Sequence, residues 1–126
     1  MFKYYFQKYS PVQGGRLRAF HTADIPYMFD NVDDLKEMTG GGPAAQSLAS
    51  KISNAWVAFA HTGDPNHPGL PSWAPFTVER QTTMIFNDEC KAVDRPFAEE
   101  RAAVTAARAP RQASTKGSTD LLGIWV

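Results

Sequence analysis

The chain has a single cysteine, Cys90, in 126 residues. No internal disulfide can form, and Cys90 reads as a small buried or half-buried side chain rather than a nucleophile. An excess of charge of one sign is also missing, because 13 Lys+Arg stand against 13 Asp+Glu. Bulk charge therefore draws the chain neither to nucleic acid nor to an acidic membrane surface. No apolar run approaches the roughly 20 residues of a transmembrane helix. The first residues, Met-Phe-Lys-Tyr-Tyr-Phe-Gln-Lys, lack a signal-peptide pattern. No internal repeat is visible. The hydrophobic share is 43%, enough for a core and against wholesale disorder, and the length fits one ordinary domain.

Phe2 to Tyr9 predicts a strand, with Phe2, Tyr4 and Phe6 on one face and Lys3, Tyr5 and Gln7 on the other. Ser10-Pro11 stops it, and Val12 to Arg18 is a loop around Gly14-Gly15. Asp30 or Asn31 caps a short helix over Val32 to Met38, with Asp33 and Asp34 in its first turn. Gly40-Gly41-Gly42 ends that helix, and Pro43 opens a longer one. There Leu48, Ile52, Ala55, Trp56 and Phe59 fall on one apolar stripe. Trp56 and Phe59 are expected as core anchors. Gly63 is a natural left-handed cap, and Pro65 blocks continuation.

Asp64 to Pro75 is a Pro- and Gly-rich loop holding Trp73. Thr82 to Phe86 predicts a second strand, and Pro96 opens a last helix through about Arg108. From Ala109 to Val126 the composition turns to that of a flexible tail, with an apolar end. The domain expectation is thus 1–108 with a tail over 109–126. Two strands this far apart make a poor sheet by themselves, so they are expected to complete a larger one.

His21 is the main candidate for chemistry, because an imidazole takes and returns a proton near neutral pH. By position alone, a loop histidine bonded to backbone is the commoner outcome. His61 and His67 flank Asp64, but their spacing matches no standard metal site, so no metal is expected. His61 suits the negative end of the long helix, and His67 sits in a Pro-rich turn with an exposed character. Tyr27, Met28 and Phe29 are open to two readings, lining of an acyl or alcohol pocket or plain packing.

Ala19-Phe20-His21-Thr22-Ala23-Asp24-Ile25-Pro26-Tyr27-Met28-Phe29 resembles the segment that carries the catalytic histidine in carboxylesterases of the α/β-hydrolase fold, especially bacterial para-nitrobenzyl-esterase-like ones. Further similarity follows in order at Ala55-Trp56, Phe59-Ala60, Thr62-Gly63, Asp64-Pro65-Asn66, Trp73 with Pro75, and Thr82 to Cys90. The likeness covers roughly residues 1 to 104, and several linked motifs are more specific than one.

The resemblance implies an α/β class: a C-terminal fragment of an α/β-hydrolase whose two strands and helices complete a larger sheet. It also implies that His21 is the triad histidine of a serine esterase acting on a small-molecule ester without a cofactor. Because the family's triad acid precedes the histidine in chain order, Asp24 reads as a structural carboxylate, accepting from backbone or an arginine. No Gly-x-Ser-x-Gly elbow surrounds any serine here. Gly40 to Gly42 lies between two helices and reads as a linker rather than an oxyanion loop. Two expectations follow. The chain supplies the histidine to a complete esterase, whose N-terminal portion it needs to fold. Alternatively it is a truncated or partner-dependent piece with no activity of its own.

Overall fold

A computed structural model of the chain describes residues 1–108. The described residues divide into two units, Met1–Pro96 and a second that begins at Phe97. The expected tail over 109–126 lies outside the described residues. In the second unit a helix runs over Ala98–Arg108, with Glu99 and Glu100 in its first turn and Arg108 in its last. That charge order complements the helix dipole. Among the described residues no helix is long and apolar enough to cross a membrane.

The first unit is built on three strands, β1 (Tyr4–Phe6), β2 (Thr83–Phe86) and β3 (Lys91–Val93), in the order β1-β2-β3. β1 and β2 are parallel, with Tyr4 opposite Met84 and Phe6 opposite Phe86. A parallel pair needs a long crossover, and here the crossover holds three helices, α1 (Ile25–Met28), α2 (Lys36–Thr39) and α3 (Gly42–Thr62). β2 and β3 form an antiparallel hairpin, with Thr83 opposite Val93 and Ile85 opposite Lys91. The sequence reading missed β3. Its three residues, Lys-Ala-Val, are all exposed, so no apolar alternation marks it.

Met84 and Phe86 lie on one face of β2 and meet Leu48, Ile52 and Ala55 of α3, together with Tyr27, Val32 and Trp73, in a single buried cluster. Phe2, Tyr4 and Phe6 pack against this cluster from their shared face, as the alternation predicts. Rings interlock across it, with Tyr4 5.2 Å from Trp56 and 5.6 Å from Phe86, and Phe6 5.1 Å from Tyr27. Offset and edge contacts of this kind stabilise a core beyond area burial alone. Cys90 is buried, and its thiol points at the Asn87 carbonyl, 3.5 Å away.

Two expectations need correction. The first is the short helix over Val32 to Met38. Asp30 takes a left-handed backbone and its carboxylate accepts from Gln46, so it caps nothing. The chain turns tightly to bury Val32 completely, and the helix begins at Lys36. Asp33 instead accepts from the Gly42 amide at 3.0 Å, capping α3 from outside that helix. The second correction is Phe59, which is 51% exposed. The last turns of α3 face an open aromatic groove of about 270 Å³ lined by Phe2, Tyr4, Trp56, Phe59 and Trp73, not a closed core.

The triple glycine is a joint between helices. Gly40 ends α2 in a left-handed conformation (φ 78°), and a Cβ there would collide with the Pro11 ring. Gly63 caps α3 in the same conformation, as expected.

Candidate active site

His21 is exposed, on a tight turn from Phe20 to Ala23 closed by the Ala23 amide on the Phe20 carbonyl at 3.0 Å. Of the two central residues, Thr22 alone has a positive φ, 72°. This is the pattern of a type II turn, in which glycine normally fills that place. A β-branched residue in this conformation is strained, and such strain persists only where the surroundings enforce it.

Fourteen residues of sequence lie between the end of β1 and His21, yet the true path is shorter. The Ser10 amide donates to the Arg18 carbonyl at 3.1 Å, so residues 11–17 form a side loop. Ser10 is buried, and its hydroxyl donates to the Met38 carbonyl. The chain that re-emerges at Ala19 therefore starts close to where the strand stopped.

On its far side the turn is anchored twice. Asp24 accepts a hydrogen bond from the Tyr4 hydroxyl at 2.9 Å. Its backbone carbonyl accepts from the amides of Tyr27 and Met28, starting α1. The carboxylate of Asp24 thus has a tyrosine as its partner, where backbone or an arginine was expected. Burial, and then Asp24 itself, push the Tyr4 hydroxyl up to about 12, since both disfavour the phenolate.

Helix α1 packs beside Phe6, the last residue of β1, and open α/β sheets place their ligands at this end of their strands. There the Tyr27 ring packs on Phe6, and Tyr27 is raised from its ordinary pKa by burial and by the charge of Asp88. Asp88 is held in turn by Lys8 at 2.6 Å, which ties the end of β1 to the hairpin. Tyr27 is buried, Met28 is partly buried and Phe29 is 74% exposed. Packing therefore accounts for Tyr27 and Met28, while Phe29 is open to whatever adjoins it.

The remaining histidines lie apart from this turn in sequence. His61 is exposed in the last turn of α3. His67 is half-buried, a correction to its exposed reading. Its Nδ1 accepts from the Gly69 amide at 3.1 Å, so Nε2 carries the proton and donates to the Lys51 carbonyl at 2.8 Å. Nearby, Asp64 accepts from the backbone and side-chain amides of Asn66, and these bonds hold the Asp64 carboxyl below its ordinary pKa. Asn66 in turn bonds both the amide and the carbonyl of Trp73. The Asp64-Pro65-Asn66 and Trp73 motifs are thus one device that seats the tryptophan. Among the described residues no group of three His, Cys, Asp or Glu could hold a metal ion.

Residues 1–105 match the model of the Carboxylesterase family. Phenmedipham hydrolase of Pseudarthrobacter oxydans is 31% identical over 99 residues, covering 75% of this chain and 20% of that protein. Para-nitrobenzyl esterase of Bacillus subtilis is 30% identical over 86 residues, covering 67% of this chain and 17% of that protein. Among solved structures, a carboxylesterase of Geobacillus stearothermophilus superposes with a TM-score of 0.67 at 34% identity, over 81% of this chain and 21% of that one. The chain therefore spans about a fifth of the length of the relatives it matches.

Proposed function

The chain belongs to the carboxylesterase family, and from that premise we propose that it is the C-terminal part of a carboxylic ester hydrolase in which His21 is the general base. The observation that carries this reading is the His21 turn itself. An exposed imidazole stands on a strained turn that follows the first of two parallel strands and is tied back to that strand through Asp24 and Tyr4. The family resemblance of Ala19 to Phe29 falls on that same turn.

The chemistry follows from the imidazole. A serine from outside these residues attacks the ester carbonyl while His21 takes its proton. The same proton then leaves with the alcohol, and an acyl-enzyme remains. His21 next deprotonates a water that attacks the acyl group, returns the proton to the serine, and frees the acid. A carboxylate on the second ring nitrogen, also from outside these residues, would fix the tautomer. The substrate is a small-molecule ester, and no cofactor takes part. Residues 1–108 make up the esterase portion, which completes its sheet with the rest of the hydrolase.

The test is His21→Ala in the complete esterase that contains this segment. Turnover falls by about a thousandfold or more while the protein stays folded. A loss of less than about tenfold would sink the assignment.

The absence of a Gly-x-Ser-x-Gly elbow favours a second reading for the 126 residues by themselves, a piece without catalysis of its own. Ester hydrolysis by the purified chain decides this. Turnover above buffer that vanishes in His21→Ala would overturn it.

A further inference from the structure

We propose that Tyr4 is a positioning residue for His21, acting through the carboxylate of Asp24; this rests on the ester-hydrolase reading above. Tyr4 is unusual on its own strand face. Its neighbours there, Phe2 and Phe6, pack against the same core with plain phenyl rings, so packing asks for no hydroxyl at position 4. The Tyr4 hydroxyl instead spans 20 residues of sequence to reach Asp24 at 2.9 Å. Its ring is clamped by Trp56 and Phe86, and its backbone is fixed in register with Met84. Asp24 is therefore bonded to a side chain whose ring and backbone are both held by the core.

What Asp24 restrains is the turn. It lies three residues after His21 and two after the strained Thr22. Between them Ala23 is buried, at 5% exposure. The Ile25 amide closes on the Thr22 carbonyl at 3.1 Å. A left-handed threonine relaxes unless both sides of it are held. Local backbone bonds hold it within the turn, and the Tyr4–Asp24 bond refers the turn to the sheet. Misplacing a general base by about 1 Å costs on the order of a hundredfold in rate, so a tie of this kind affects turnover more than substrate binding.

The experiment uses the complete esterase that contains this segment, with steady-state kinetics and the thermal midpoint measured for each variant. Tyr4→Phe keeps the ring and loses the bond, and we expect kcat to fall about tenfold with KM changed less than about twofold. Asp24→Ala behaves alike, and the double variant is no worse than the poorer single one, because both remove one tie. Asp24→Asn retains an oxygen that accepts the phenol's bond and keeps about half or more of kcat.

Wild-type kcat in Tyr4→Phe, while His21→Ala abolishes turnover, overturns the proposal and leaves the ester-hydrolase reading standing. Additive losses, or Asp24→Asn as impaired as Asp24→Ala, also overturn it. Substantial activity in His21→Ala removes the reading of His21, and the proposal falls with it.

Discussion

Tyr4 shows how much one hydroxyl changes. Its pKa of about 12, against an ordinary 10.0, means that the folded chain keeps a proton which the unfolded chain releases above pH 10. The stabilisation linked to that proton is complete below about pH 10 and fades as pH rises to about 12. Denaturant unfolding across this window shows a falling stability, and Tyr4→Phe removes its share of the fall. An unchanged slope in the variant would mean that Tyr4 is not the group responsible. In the sequence, Tyr4 was legible as one of three inward aromatics, but its bond to Asp24 was not. A contact between residues 20 apart depends on where the side loop brings the chain back, and no local pattern encodes that.

The joint between α2 and α3 carries the clearest prediction for a single element. Gly40→Ala adds a Cβ into the Pro11 ring at a left-handed position. Backbone strain and overpacking together cost about 2–4 kcal/mol, read as a lower denaturation midpoint. A midpoint within error of wild type would show that the 11–17 loop yields freely. Helix α3 was the most legible element, because Pro43, the apolar stripe and Gly63 all agree on its limits. The short helix before it was not. Its acidic residues look like helix caps from nearby sequence alone, yet Asp30 serves Gln46 and Asp33 serves Gly42. Carboxylates can satisfy any donor in reach, so which end they cap is decided by packing.

At the scale of the whole molecule, the first unit shows aromatic surface. Among the described residues, β1 and β3 each pair on one side only, and the groove by Phe59 is open to solvent. The purified chain is therefore expected to bind an apolar dye and to self-associate as its concentration rises, measured by fluorescence and sedimentation velocity. Phe59→Ser weakens dye binding and shifts the thermal midpoint little, since half the side chain is already in water. A strictly monomeric chain that ignores the dye would show that these surfaces are covered.

The sequence by itself determined the inward face of the first strand, the extent of α3, the second strand and the histidine segment. Each is written in short-range periodicity or in residues with singular backbone needs. Tertiary structure alone decided that the two distant strands pair in parallel and that Lys91–Val93 joins them. It also decided that Phe59 faces a groove and that the His21 turn hangs from Tyr4. Those outcomes depend on which surfaces meet after the chain closes long loops, and the free energy of such meetings belongs to pairs of residues far apart.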